Sequence, residues 1–593
     1  MQRPQLPSVV VATVAFALTC AGAASGAQTA GGSDPKISRF GEYRGYSAAR
    51  YEAYARSSVC IPVRDGIELA ADILRPMGAD GAPVTEPLPV IWTLQRYHRA
   101  RLRKGRVLTL VETRYPWLAE VIRHGYVAVV VDARGTGASQ GLRRAEMGTG
   151  DARDGYDVTE WLADRPWSSA AVGMFGRSFR GMTQYLVAGE RPPSLRAIFP
   201  EMAMFDVYDT AYLGGIPRPL TRVWGDRVAQ LDAVAGLPVD EDPAGKKLAA
   251  WLPKRQQNLH LGRFARAVPA RDGRDAATGL GWRDVSPSRA VGRFRGSGIG
   301  VYHLGGWLDG WPADTLAWWA ALMGEQQKMV IGPWEHNGRG HLDLAAEHLR
   351  WYDFWLKGID NGVLGEAPIH YAVSSQEGSV AWKAVESWPP ARLENQTWRL
   401  AAGASGTADS ANDGRLVAPQ EPAPGGGEGD DALRFDPAAT SGKGSRWHRV
   451  AGGRFDYGDL SANDAKGLTY TSEPLPADLV VTGRPTAYLA VSASAADADL
   501  FVYLEEVDAA GRSHYVTEGA LRASSSGHRL DGEPVLLAIP LLPSARRFAA
   551  GHRLRLTLTG AAADNAEPLP QPPPTIRIRR AKSWLDLTVE ESR

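Results

Sequence analysis

The run Val172-Gly173-Met174-Phe175-Gly176-Arg177-Ser178-Phe179-Arg180-Gly181 decides the fold of this chain, together with the helix-compatible Met182-Thr183-Gln184-Tyr185-Leu186-Val187 behind it. A short apolar strand runs straight into a turn that holds a serine, and a helix follows. A serine on so sharp a strand-to-helix turn is held in a strained conformation that exposes its Oγ, and small flanking residues are needed because the two backbones pass close together. Ser178 therefore reads as the nucleophile of an elbow. The usual second glycine stands two residues after the serine. Here Arg180 holds that place and Gly181 follows, so the motif alone also fits an ordinary strand-to-helix turn.

Working outward, a serine nucleophile of this kind is followed in the chain by an acid and then a histidine, each at the end of a later strand. The stretch His303-Leu304-Gly305-Gly306-Trp307-Leu308-Asp309-Gly310 puts Asp309 in a loop after one strand, and Ile331-Gly332-Pro333-Trp334-Glu335-His336 puts His336 after the next. They lie 27 residues apart, about what one helix and one strand require. Asp309 would hold the imidazole of His336, which would take the Ser178 proton and later deliver it to the leaving group. Taken singly, Asp309 before Gly310 also fits a turn residue. Glu335 is the neighbour that could be miscast for His336, but adjacent side chains in extended chain point apart. His303 lies within its strand and reads as a core histidine, and Asp314 falls in the following helix. The oxyanion of the intermediate needs donors. One is expected from the backbone N–H of Phe179, the other from Tyr97 in Gln95-Arg96-Tyr97-His98-Arg99, although a tyrosine among basic residues also fits surface packing.

Further along the chain, Val63 to Leu74 alternates around Asp65-Gly66 as a hairpin does. Short apolar runs such as Val127-Ala128-Val129-Val130-Val131, Ala197-Ile198-Phe199 and Met329-Val330-Ile331 alternate with amphipathic segments such as Gly155 to Ala163 and Ala313 to Met323. That pattern predicts an α/β core with a mainly parallel sheet covered by helices. Between Phe199 and Ile299 the strand rhythm lapses, and helical segments at Leu220 to Val234 and Gly245 to Leu259 predict an inserted helical cap. From Asn395 onward short alternating strands without helices predict a separate all-β unit, and Ala401 to Asp431 reads either as a linker or as a long loop within it.

The sequence has 593 residues, with Lys+Arg 67 against Asp+Glu 66, a net charge of +1 and 44% hydrophobic residues, the balance of a well-cored globular protein and not of a nucleic-acid or anionic-membrane binder. The 65 Gly, 40 Pro and 19 Trp call for turn-rich β structure. Arg3, the apolar run from Val9 to Leu18 and the small residues Ser25-Gly26-Ala27 read as a signal peptide over residues 1–27, with export to a periplasm or the medium, the alternative being an uncleaved membrane anchor. The run is too short for a membrane span, no later segment comes close, and Ala17-Leu18-Thr19 is a poor lipoprotein box before Cys20. Once Cys20 is removed, Cys60 is the remaining thiol, so no intrachain disulfide or thiolate metal cluster is expected.

Arg64-Asp65-Gly66, Arg96-Tyr97-His98-Arg99, Asp132-Ala133-Arg134-Gly135-Thr136-Gly137, Asp154-Gly155-Tyr156-Asp157, Gly176-Arg177-Ser178, Gly306-Trp307-Leu308-Asp309-Gly310 and Gly332-Pro333-Trp334-Glu335-His336 together resemble the cocaine esterase, α-amino-acid ester hydrolase and X-prolyl dipeptidyl peptidase family. Trp351-Tyr352-Asp353-Phe354-Trp355 and Asp497-Ala498-Asp499-Leu500 carry the likeness toward the C-terminus. The resemblance implies a serine hydrolase with an α/β-hydrolase core over residues 28–200 and 295–390, a helical cap over 201–294 and a C-terminal jelly roll over 391–593. It implies Ser178, Asp309 and His336 as triad and Tyr97 with the Phe179 amide as oxyanion hole. Phe179 replaces a tyrosine common at that place, and the surroundings of Tyr97 depart from the family's Pro-Tyr-Asp-Lys. Arg134 reads as a structural ion-pair partner, and Asp154 to Asp157 as the start of a helix.

Relatives that act on amino-acid esters hold the substrate's ammonium with carboxylates, partly just after the triad acid, where this chain has Gly310-Trp311-Pro312-Ala313. Asp206 and Asp209 could still form such a site or lie on a solvated helix face. Trp307, Trp311 and Trp334 suggest an apolar, aromatic-lined pocket, with Trp307 and Trp334 fitting the core equally well. The expected substrate is a small ester, with X-prolyl dipeptides or amino-acid esters and amides as the alternative and a catalytically vestigial binding protein ranked below. The chemistry needs no metal and no organic cofactor.

Overall fold

The computed structural model describes residues 36–338, 340, 342–410, 412–421, 429–569 and 573–591. The expected signal peptide at 1–27 and Cys20 lie outside the described residues.

One mixed sheet carries the N-terminal part. Across it the strands run Tyr54–Pro62, Glu68–Pro76, Val127–Asp132, Leu88–Gln95, Ser168–Arg177, Leu195–Glu201, Gly300–Gly306, Gln327–Gly332, Ile369–Ser375 and Val380–Val385. From Val127–Asp132 to Ile369–Ser375 every neighbour is parallel, and the outer strands on each side are antiparallel. The continuous apolar runs follow from this arrangement. Val127, Val129 and Val131 face one core and Ala128 and Val130 the other, because successive side chains leave a strand on opposite faces and both faces are covered. Helices Thr149–Ala163 and Phe179–Glu190 cover the first face with Val158, Leu162, Leu186 and Val187. Helices Trp117–Arg123 and Leu344–Lys357 cover the second with Leu118, Val121, Leu349 and Tyr352.

The turn of the first hairpin is closed by Gly66 N–H donating to the Val63 carbonyl at 2.9 Å, with Gly66 at φ 79°. The helix expected from Gly155 begins earlier, at Thr149, so Asp154 to Asp157 are mid-helix. Their carboxylates serve arginines instead. Asp154 takes Arg134 Nη2 at 2.6 Å and Asp157 takes Arg64 Nη2 at 2.7 Å. Gly155 is small because Val187 presses on it: a Cβ there would lie 2.1 Å from Val187 Cγ2.

Between Glu201 and Gly300 come the helices Val207–Ala211, Pro219–Asp232, Lys246–Ala249 and Leu261–Ala267. The first long helical pattern starts with Pro219 at its first position, where a missing N–H costs nothing. The second does not form one helix. Lys246–Ala249 is followed by a 3-10 turn, Leu252–Gln257, with Pro253 at its start, since proline cannot donate into a helix interior.

The C-terminal part is β-rich and antiparallel in most of its pairings. Leu393–Ala401 pairs with Trp584–Glu590, Asp499–Val507 with Ser513–Arg522 and Arg553–Thr559, and Thr486–Ala493 with Val535–Pro540. Their alternate residues meet in one core that includes Trp398, Leu489, Val502, Leu537, Leu556 and Leu587. Within the segment that also read as a linker, Asn412–Val417 is a strand paired with Leu393–Ala401 and Leu468–Thr471. The two units also meet strand to strand, since Ser374 and Ser375 of the first sheet lie in parallel register with Arg546 and Arg547.

Candidate active site

Ser178 follows the strand Ser168–Arg177 and caps the helix Phe179–Glu190 at φ 62° and ψ −128°. A non-glycine residue there carries about 1–3 kcal/mol of strain and persists only when its surroundings over-determine it. Three backbone bonds do so here. Ser178 N–H donates to the Glu201 carbonyl at 2.9 Å, and its own carbonyl accepts from Gly181 and Met182 at 2.7 and 2.9 Å. Gly181 is required because a Cβ would stand 2.8 Å from the Glu201 carbonyl oxygen. Arg180, in the place of the usual second glycine, turns inward, its Nε donating to the Tyr115 hydroxyl at 2.8 Å and its Nη1 to Gln95 Oε1 at 3.0 Å.

Asp309 follows Gly300–Gly306 and His336 follows Gln327–Gly332, neighbouring strands of the sheet. His336 Nδ1 lies 2.8 Å from Asp309 Oδ1, and both side chains are buried. That contact fixes the imidazole's orientation and leaves Nε2 as the basic nitrogen. Trp311 stands edge-on to the His336 ring at 4.9 Å and is anchored by its own N–H on Thr210 Oγ1 at 2.8 Å. Glu335 points elsewhere, into Arg449, whose Nε donates at 2.5 Å and Nη2 at 3.0 Å. Arg446 Nη1 donates to the carbonyls of Trp307 and Asp309 at 3.0 and 2.9 Å, holding the loop that carries the acid.

A cavity of about 280 Å³ opens between core and cap, and Ser178, Phe179, His336, Tyr97 and Trp311 all line it. The Phe179 amide lies in the first turn of its helix and has no intrahelical acceptor. Tyr97 leaves the end of Leu88–Gln95, its ring edge-on to Phe179 at 6.5 Å. Its basic neighbours are inward clamps. Arg96 is wholly buried between Glu146 Oε2 at 3.0 Å and Asp232 Oδ2 at 3.5 Å, Arg99 lies on Asp72 and Asp132, and His98 Nε2 meets the Leu231 carbonyl at 3.1 Å. Asp232 also takes Arg143 Nη2 at 2.6 Å, so one buried ion cluster joins the Tyr97 loop to the cap. Breaking such a cluster by removing one partner costs about 3–5 kcal/mol.

Other expected pocket residues lie outside the cavity lining. Trp307 donates to the Ala372 carbonyl at 2.8 Å and packs with Met329, Ile331 and Tyr371. Trp334 is a core residue against Trp382 and Gly332, where a Cβ would stand 2.3 Å from the indole. Asp206 and Asp209 both hold Arg271, and Asp206 Oδ1 also caps its helix through Tyr208 N–H. Neither carboxylate lines the cavity. His303 is buried between the Tyr185 hydroxyl at 2.6 Å and Gln327 Oε1 at 3.0 Å, and burial pushes its pKa down to about 4. Sequence reasoning missed Trp224, whose Nε1 donates to the Tyr97 hydroxyl at 3.1 Å, and the wall residues Val450 and Gly452 of the C-terminal part. Trp224 offered only its place on an amphipathic helix as a signal. Among the described residues no group of three or more His, Cys, Asp or Glu side chains is placed to hold a metal ion, and no helix is long and apolar enough to cross a membrane.

Residues 65–338 match the X-Pro dipeptidyl-peptidase (S15 family) model, and residues 361–583 match the X-Pro dipeptidyl-peptidase C-terminal non-catalytic domain. A Mycobacterium bovis protein named "Putative serine esterase" is 30% identical, over 91% of this chain and 96% of that one. The chain belongs to the S15 family. The cocaine esterase of a Rhodococcus species is 27% identical over 85% of this chain and 90% of its own. The aminopeptidase of a marine-sediment Thaumarchaeota archaeon shares the fold, at 19% identity and a TM-score of 0.70 over 95% of this chain and 99% of its own. The protein is accordingly a serine hydrolase of esters or X-Pro peptides, built on an α/β-hydrolase core with a β-rich C-terminal domain.

Proposed function

We propose that this chain hydrolyses carboxylic esters through an acyl-serine intermediate. Ser178 Oγ attacks the ester carbonyl while His336 Nε2 takes its proton, Asp309 keeping the imidazole in register and stabilising its cation. The oxyanion accepts from the Phe179 amide and the Tyr97 hydroxyl. Collapse breaks the bond to the alcohol, which leaves with the proton from His336. Water then repeats the sequence on the acyl-serine and releases the acid. The observation that carries this reading is the pairing of Ser178, at positive φ on the cavity, with an imidazole on the same cavity held by a buried carboxylate at 2.8 Å.

An ester is favoured over an X-prolyl dipeptide because no Asp or Glu lines the cavity among the described residues, so no carboxylate there would pair with a substrate ammonium. Phe179, Met182, Met204, Val207 and Trp311 offer instead an apolar side for an acyl group. The test compares p-nitrophenyl butyrate with Gly-Pro p-nitroanilide, using Ser178→Ala as background. Ester turnover that vanishes in the variant is expected. Dominant anilide turnover would move the assignment to the dipeptidase, and wild-type rates equal to the variant's on both would leave a binding protein. The N-terminal pattern supports export to a periplasm or the medium, and a secreted chain beginning at Gln28 is the expected product.

A further inference from the structure

The cavity beside Ser178 is charged with one sign only. Arg101, Arg114, Arg177, Arg180 and Arg227 line it, and no acid does among the described residues. Arg101, Arg114, Arg180 and Arg227 form no ion pair within the described residues. Arg180 is the telling one, at 3% exposure. Its Nε and Nη1 spend themselves on the neutral Tyr115 hydroxyl and Gln95 amide, and the rings of Tyr97 and Tyr115 at 5.4 and 5.2 Å give only a partial counterweight to its charge. Arg96, Arg99 and Arg143, equally buried, each lie on two carboxylates, and Arg255 donates to backbone carbonyls. A buried guanidinium without an anion is costly, and an anion brought by a ligand recovers that cost.

The arginines also have a direction. Arg114 Nη1 donates to Asn337 Oδ1 at 3.3 Å, on the residue after His336, and Arg227 on the cap helix donates to the Ala451 carbonyl at 3.4 Å. Arg180 and Arg227 are near enough to Arg114 to depress its pKa along with burial, as like charges around a shared space do. His336 is the group that protonates the leaving alcohol, so the arginine next to its loop borders the alcohol end of the cavity. We infer that this cluster binds a carboxylate carried on the alcohol portion of the ester, an inference that rests on the ester-hydrolase reading above. Arginine's planar fork suits a carboxylate, and the excess positive charge at the mouth draws an anion in.

The probe pair is 4-acetoxyphenylacetate and its methyl ester, which differ in the charge of the leaving phenol, assayed by phenol release with Ser178→Ala as background. The anionic ester is expected to have about 10-fold or more the kcat/KM of the neutral one, about 1.4 kcal/mol. That ratio should shrink several-fold as ionic strength rises from about 0.02 to about 0.5 M, because exposed members of the cluster are screened. In the Arg114→Gln/Arg227→Gln double variant, whose altered side chains reach solvent, the ratio should approach one. Equal Ser178-dependent turnover of both esters would overturn the anion site while leaving ester hydrolysis standing. A ratio unchanged in the double variant would overturn the arginines as its source. Preference for mono-p-nitrophenyl glutarate over p-nitrophenyl butyrate without preference in the phenol pair would put the anion on the acyl side and overturn the alcohol-side assignment. No turnover of any ester above the Ser178→Ala background would fail the ester-hydrolase reading itself, and this inference with it.

Discussion

Trp224 Nε1 donates to the Tyr97 hydroxyl, which leaves the phenol's own proton for an acceptor in the cavity. A hydroxyl that accepts one hydrogen bond is a stronger donor in the next. If Tyr97 serves the oxyanion, Trp224→Phe keeps the ring and loses that polarisation, so kcat on p-nitrophenyl butyrate should fall about 3- to 10-fold, the worth of roughly one hydrogen bond. KM should move less than about twofold, because the interaction strengthens in the transition state. A tryptophan that merely packs would leave kcat in place. Asp314 supports a second residue-level prediction. Burial, with Asp209 and Asp206 nearby, pushes its carboxyl up to about 8 although the Phe205 and Asp206 amides donate to it. The folded chain therefore keeps a proton that the unfolded chain releases from about pH 4 upward. Stability should fall as pH rises through that window, by at most about 1.4 kcal/mol per pH unit from this group. Asp314→Asn keeps an oxygen for the amides, so urea unfolding at pH 5 and 7.5 should show the variant losing less stability across the interval than the parent. Single residues were also the hardest to read. Ser178, Asp309 and His336 stood out by order and spacing, whereas Asp206 and Asp209 looked available because their partner, Arg271, lies more than 60 residues downstream.

At the scale of the element, the turn around Ser178 was legible because its glycines have separate steric duties. Gly176 sits at φ 131°, where a Cβ would meet Arg180 Cβ at 2.7 Å and Thr93 Oγ1 at 3.0 Å. Gly176→Ala should destabilise the protein by about 1–3 kcal/mol from the backbone alone. It should also cut ester turnover more than the unfolded fraction explains, since the same turn aims Ser178; urea titration and active-site counting on one sample separate the two effects. Strands were legible for a similar reason: a run such as Val127 to Val131 has both faces covered and cannot afford a polar residue. Helix ends were less so. The pattern from Gly245 to Leu259 is helical in its apolar spacing, yet Pro253 and the extended Asn258 divide it, and periodicity does not register a missing N–H.

Across the whole molecule, the C-terminal domain meets the site with the short helix Arg446–Val450 and the residues just after it. Arg446 holds the Trp307 and Asp309 carbonyls, Arg449 holds Glu335 away from His336, and Val450 and Gly452 close the cavity wall. These contacts span more than 110 residues of sequence, and no local pattern in Arg446 to Gly452 announces them. Arg446→Met keeps the apolar stem but removes the donors, leaving two buried carbonyls at about 1–3 kcal/mol each. If the domain positions the acid, kcat on p-nitrophenyl butyrate should fall by about 10-fold or more in protein that is still folded, since a displacement of about 1 Å in a supporting loop is enough to cost that much. Arg555→Met supplies the comparison. Arg555 is as buried as Arg446 and pairs with Asp464 at 2.6 Å inside the same domain, but it does not line the cavity. Its loss should lower the unfolding midpoint while leaving kcat of the folded fraction within about twofold, as expected for sites that share no partners. Equal kcat losses in the two variants would mean that the domain acts on the site only through overall stability.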